Sequence, residues 1–93
     1  MNYYTYILVS EVDGSFYTGQ TNNLKDRIQR HNNGLIKATK TKAPYKIGYV
    51  EIYDTRAKAM WREWELKKKW NTERKKKLVS NFDQTKLGNV LGL

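Results

Sequence analysis

Polar and apolar positions divide the chain into segments of two different periods. Tyr4–Val9 (YTYILV) is rich in β-branched and aromatic residues, and turn-forming Asp13-Gly14 follows it. A β-hairpin is expected, with the return strand over Phe16–Gln20. Alternation puts Tyr4, Tyr6 and Leu8 on one side and Ile7 and Val9 on the other, with Tyr6 near Tyr17 across the pair. After the capping pair Asn22-Asn23 the period becomes helical, from Leu24 to about Asn32, and Gly34 stops the helix in the C′ position. Leu24 and Ile28 are its apolar pair, and Arg27 and His31 fall on that same inward side.

Leu35–Lys46 (LIKATKTKAPYK) has neither period, holds four lysines and the single proline, and reads as an exposed basic loop. Ile47–Tyr53 predicts a third strand in which Tyr49, Glu51 and Tyr53 share one side and alternate with Gly48, Val50 and Ile52, and Glu51 reads as a strand-surface charge ahead of a role in the site. Thr55 is an N-cap for a helix to about Trp70, and Asn71-Thr72 caps a shorter one through Leu78. Stepping 100° per residue, Ala59, Met60, Leu66 and Trp70 make an apolar stripe with Glu63 near its middle and Glu65 on the opposite, solvent side. Beyond Asn81 the pattern weakens. Residues 83–93 are expected to be a frayed or loosely docked tail after a domain spanning 1–82.

Composition narrows the chemistry. Ninety-three residues suffice for one domain with a thin core. Eighteen Lys and Arg against nine Asp and Glu give a net charge of +9, so a polyanion is the natural partner, nucleic acid ahead of an anionic membrane surface. With no long apolar run, signal pattern or lipidation motif, a soluble cytoplasmic protein without membrane association is expected, and no obligate protein partner is evident. Zero cysteines exclude disulfides, thiolate catalysis and Cys-based zinc sites, and a single histidine excludes a His-rich metal site. Any metal would be a hard, oxygen-bound cation.

Several side chains have two readings. Arg27 alone suits a snorkelling helix charge and His31 alone a satisfied buried imidazole, but two costly polar groups one turn apart on a packed face suit a phosphate together. Either tyrosine, taken singly, is a core residue before it is a catalyst. Glu63 within an apolar stripe needs a partner, either Arg27 or a lysine in a buried ion pair, or a metal ion. The lysines of the loop (Lys37, Lys40, Lys42) and of the long helix (Lys67, Lys68) are a solvated face or a phosphate track, and Trp61, Trp64 and Trp70 among the basic runs favour nucleic acid.

Tyr4-Thr5-Tyr6, eleven positions before Tyr17-Thr18-Gly19, with Arg27 ten residues on and His31 one turn later, resembles the GIY-YIG nuclease superfamily in its small stand-alone bacterial branch. The segment Ala59-Met60-Trp61-Arg62-Glu63 with Leu66-Lys67 resembles the family's metal-binding helix, and Asn81 the asparagine that often ends the domain. The first motif departs from the signature at Tyr4 and Thr5, and the second at Thr18. The resemblance implies an α+β fold, a small three-stranded antiparallel sheet flanked by helices. It implies hydrolysis of nucleic-acid phosphodiesters with one Mg²⁺ or Mn²⁺ ion on Glu63. Tyr6 would be the general base, its pKa lowered by Arg27 and the metal; Arg27 would stabilise phosphoryl charge, Tyr17 would position the phosphate or water, and His31 would orient Tyr6 or assist proton transfer. The expected substrate is DNA ahead of RNA, with branched or flapped forms as candidates because no appended domain reads sequence. A non-catalytic nucleic-acid-binding module of the same fold is the alternative.

Overall fold

The computed structural model describes residues 1–91. Three antiparallel strands, β1 (Tyr3–Ser10), β2 (Phe16–Thr21) and β3 (Tyr45–Tyr53), form one sheet in the order β2-β1-β3. The first hairpin folds as its alternation requires, pairing Tyr6 with Gly19 and Leu8 with Tyr17, and Gly14 takes the positive φ of +75° that its turn demands. Helix α1 (Leu24–Asn32) follows β2, and α2 (Arg56–Lys68), α3 (Thr72–Asn81) and α4 (Thr85–Leu91) follow β3 in succession. Asn23, Thr55 and Asn71 cap the first three, each side chain accepting the backbone N–H three residues on.

The central strand is covered on both faces, so Thr5 through Leu8 is buried without interruption. Tyr6 and Leu8 join Leu24, Tyr45, Ile47 and Val50 in the core on the α1 side. On the other face the Thr5 hydroxyl donates to the Ala59 carbonyl at 2.8 Å, seating α2 on the sheet through Ala59 and Leu66, both 0% exposed.

Several boundaries and faces differ from the expectations. The third strand begins at Tyr45, because the Asn32 amide accepts from Tyr45 N (2.7 Å) and donates to Tyr45 O (3.2 Å), tying it to α1. The basic loop is less open than its composition suggests: Thr39 is fully buried, a 3₁₀ turn spans Lys40–Lys42, and the Ser10 hydroxyl donates to the Lys42 carbonyl at 2.6 Å. Helix α2 stops at Lys68 and α3 runs on to Asn81. Met60 leaves the apolar stripe and is 49% exposed, since the buried direction runs through Ala59 and Leu66 and Met60 sits about 100° away from Ala59. The expected tail holds α4, whose Leu87 packs against the core; residues 92 and 93 lie outside the described residues.

Glu51 and Glu65 are corrected together. Glu51 accepts hydrogen bonds from Arg62 Nε (2.9 Å) and Nη2 (3.1 Å) and from the hydroxyls of Tyr49 and Tyr53, while Arg62 Nη1 also reaches Glu65. Arg62 is only 18% exposed, so Glu65 belongs to a partly buried ion network on the β3 side of α2 rather than to a solvent face. Burial opposes ionisation of Glu51, but Arg62 and the two hydroxyls outweigh it and hold the carboxyl below its usual range.

Candidate active site at the edge of the sheet

Because β2 is an edge strand, side chains from both faces of the sheet can meet over its rim. From the α1 face come Tyr6, Tyr17, Arg27 and His31. The Tyr6 hydroxyl lies 3.0 Å from Nε2 of His31, and the Tyr17 and His31 rings contact edge-to-face at 5.0 Å between centres. Gly19 makes room for this: a Cβ there would stand 2.5 Å from the Tyr6 hydroxyl oxygen and 2.6 Å from Cζ. From the α2 face, Lys67 Nζ reaches to 5.6 Å from the Tyr17 ring centre and pairs with Glu63 at 3.6 Å.

Behind the imidazole stands a residue that sequence reasoning placed in a loop. Thr39 Oγ1 lies 2.8 Å from His31 Nδ1 and 3.3 Å from the Ile36 carbonyl oxygen. The hydroxyl has one proton; given to the Ile36 carbonyl, it leaves Oγ1 to accept from Nδ1–H, and Nε2 then accepts from Tyr6. The signal that could have found Thr39 was weak, one of two threonines among the lysines of the loop, eight positions after His31.

Both titratable groups of this chain are kept neutral. Burial, aided by the charge of Arg27, lowers the His31 pKa to about 4. Burial also raises the Tyr6 pKa well above the ordinary phenol range; Arg27 pulls it down, whereas Tyr17 and Glu63 push it up. The expected lowering of Tyr6 is therefore reversed in the protein alone, because desolvation of a phenolate on a residue only 2% exposed outweighs one neighbouring guanidinium.

Arg27 is half-buried and, among the described residues, has no carboxylate partner. Glu63 is ion-paired with a lysine, as one of its two expected readings had it, but at 3.6 Å with side chains 26% and 42% exposed the pair is weak. Among the described residues no three His, Asp or Glu side chains converge as a metal cage. The donor set suits an ion held by one carboxylate, water and a phosphate, as Mg²⁺ is commonly bound. Among the described residues one buried side-chain acceptor lacks a partner, Oε1 of Gln20. Gln20 pairs with Thr5, so it shares the α2-facing side of the sheet.

The lysines expected to meet a backbone are exposed, although Lys42 is paired with Asp13 at 3.2 Å. Asn81 stands apart. It lines a cleft beside α3 that none of Tyr6, Tyr17, Arg27, His31 or Glu63 lines.

The fold agrees with what the chain is similar to. Residues 2–77 match the model of the GIY-YIG catalytic domain. A UPF0213 protein of Staphylococcus saprophyticus is 40% identical over 79 residues, covering 84% of this chain and 94% of that one. One of Clostridium perfringens is 46% identical over 66 residues, 70% of each chain. The solution NMR structure of a UPF0213 protein from Bacillus halodurans superposes with a TM-score of 0.54 at 36% identity, covering 86% of this chain and 84% of that chain. The chain belongs to the GIY-YIG family of nuclease domains.

Proposed function

We propose that the protein is a divalent-metal-dependent endonuclease that hydrolyses phosphodiester bonds in nucleic acid, DNA ahead of RNA, with branched or flapped forms preferred. The observation that carries this reading is the meeting of Tyr6, Tyr17 and His31 with Lys67 and Glu63 over the rim of β2, beside an Arg27 that lacks a carboxylate partner among the described residues. A pure binding module needs cations but has no use for a buried hydroxyl–imidazole–hydroxyl chain.

In this reading Glu63 holds one Mg²⁺ or Mn²⁺ ion, with Lys67 swinging aside. When bound, the ion supplies Lewis acidity toward the scissile phosphate and positive charge that favours the Tyr6 phenolate. Tyr6 gives its proton to Nε2 of His31, whose Nδ1–H stays on Thr39, and then takes a proton from the attacking water. The water oxygen bonds to phosphorus, the bond to the leaving sugar oxygen breaks, that oxygen takes a proton from solvent, and His31 releases to solvent the proton it received from Tyr6. Arg27 donates to the phosphoryl oxygens as negative charge grows on them, and Tyr17 sets the position of the phosphate. Lys37, Lys40, Lys42 and Lys68 lie along the backbone on either side. A cytoplasmic setting fits such an activity. No helix among the described residues is long and apolar enough to cross a membrane.

The test is cleavage of labelled single-stranded, duplex, flap and branched substrates in Mg²⁺, Mn²⁺ or EDTA. Metal-dependent scission supports the assignment. Tight binding without scission of any substrate in either metal would leave the binding module as the function.

A further inference from the structure

A second site lies away from the reacting groups. Between α3 and β3 opens a cleft of about 480 Å³, within the usual size of small-molecule sites. Its floor is apolar, made by Leu78, Phe82 and the ring of Tyr49, with Phe82 and Tyr49 in edge-to-face contact at 5.5 Å. The Tyr49 hydroxyl is already committed to Glu51, so the floor presents no unsatisfied polar group there. The rim is basic. Lys77 comes from α3 and Lys86 from α4, and neither has a carboxylate partner among the described residues.

Arg74 is the distinctive member. Its guanidinium carbon sits 3.8 Å from the centre of the Trp70 ring, and no side-chain hydrogen bond or ion pair is made by it among the described residues. Stacking fixes the plane of the fork while its N–H groups remain free, which is the state in which arginine captures phosphate. Arg62 also lies over this indole, at 4.9 Å, and Trp70 serves as the platform that orients Arg74. One carboxylate opposes the cations: Asp83 lines the cleft, but its Oδ1 accepts from Thr85 N at 3.0 Å and Thr85 Oγ1 at 2.7 Å. Three cations therefore face one carboxylate that is already hydrogen-bonded.

A bare phosphate would not use the apolar floor, and an apolar ligand would not use the fork. A nucleotide uses both. We propose that this cleft binds one unpaired nucleotide of a nucleic-acid strand, its phosphate on Arg74 with Lys77 and Lys86, its base over Phe82 and Leu78, and its base edge within reach of the Asn81 amide. This rests on the nuclease reading and adds to it the preference for a strand with an unpaired base. Glu63 lies on α2 and Arg74 on α3, the next helix of the chain. Asn81 then has a role that does not need it at the reacting phosphate.

The test is made in EDTA, where no cleavage interferes, by titrating the full chain with a short oligothymidylate at fixed salt. Fluorescence anisotropy gives affinity and amide NMR shifts give the place. Arg74→Gln should weaken binding about tenfold, the scale of one stacked or phosphate-bearing side chain, and Arg74→Lys should recover only part of the loss. Lys25→Gln, which removes the same charge from the exposed side of α1, should change affinity about twofold or less. Shifts should centre on residues 74–83, and inorganic tripolyphosphate or an acidic peptide should compete poorly. Equal losses for Arg74→Gln and Lys25→Gln, or equal competition by either polyanion, would overturn the proposal. Metal-dependent cleavage, measured in parallel, separates the two readings: cleavage with no Arg74 effect overturns this site alone, and Arg74-dependent binding without any cleavage overturns the nuclease alone.

Discussion

The Tyr6 hydroxyl and Nε2 of His31 stand 3.0 Å apart, and the far side of the imidazole fixes which of them holds the proton. With the one hydroxyl proton of Thr39 on the Ile36 carbonyl, Oγ1 accepts from Nδ1 and the basic nitrogen of His31 faces the phenol. A proton that leaves Tyr6 has Nε2 within hydrogen-bond reach, although burial and Arg27 hold the affinity of that imidazole for a proton low, with a pKa of about 4.

Tyr6→Phe keeps the ring in the core and removes the hydroxyl. Cleavage should be lost while nucleic-acid affinity stays within about twofold of the parent. Stability should fall by roughly 1–3 kcal/mol, because Nε2 of a fully buried His31 loses its donor. Single-turnover cleavage, anisotropy and urea melts check the three parts, and cleavage at the parental rate would remove Tyr6 from the mechanism.

Thr39→Val is nearly isosteric and leaves Nδ1–H without an acceptor. The imidazole should then favour the tautomer with hydrogen on Nε2, directed at Tyr6. Cleavage should drop by about 10- to 100-fold, and Thr39→Ser should restore most of it. Nitrogen-15 spectra of the single histidine report the tautomer directly. An unchanged tautomer in the Thr39→Val protein would show that Thr39 does not set it.

Stability should depend on pH through the same histidine. In the unfolded chain His31 takes up a proton near pH 6.5, but in the folded protein only near pH 4. Between those values the unfolded state binds more protons, so stability is complete above about 6.5 and falls as the pH is lowered toward 4. The loss amounts to roughly 3 kcal/mol, at about 1.4 kcal/mol per pH unit. Chemical denaturation of the parent and of His31→Gln across this range tests it. The variant should lack the slope.

Gly19→Ala should damage the site without touching a reactive group. The added methyl would stand 2.5 Å from an oxygen that cannot swing away, since Tyr6 is 2% exposed and bonded to His31. A loss of about 1–3 kcal/mol in stability is expected, together with loss of cleavage. Full activity would mean that the geometry of Tyr6 has slack.

What the sequence made legible follows from local rules. The shared face of Tyr6 and Tyr17, and the spacing that turns Arg27 and His31 inward, follow from periods of 2 and 3.6 residues that need no tertiary information, whereas the register, which sets Tyr6 opposite Gly19 and Tyr17 opposite Leu8, was not read from the sequence. Thr39 was not legible, because it is buried by a non-local contact between an aperiodic segment and α1. Glu65 was misplaced for a related reason. The helical period gave its angle correctly, but Arg62, held by Glu51 of another element, draws it into an ion network. The direction of the Tyr6 shift needed the depth of its burial, which alternation along a strand does not reveal.

Glu63 and Glu65 provide the most direct measurement, being two residues apart on α2 with different partners. Metal-dependent cleavage and metal-free thermal melting should be recorded for Glu63→Gln and Glu65→Gln. If Glu63 anchors the ion, Glu63→Gln lowers turnover by about a hundredfold or more and leaves metal-free melting unchanged, since its pair with Lys67 is long and partly exposed. Glu65→Gln should do the reverse, cleaving near the parental rate while melting earlier, because it takes one partner from a half-buried Arg62. A Glu63→Gln protein that cleaves at the parental rate in Mg²⁺ would contradict the account.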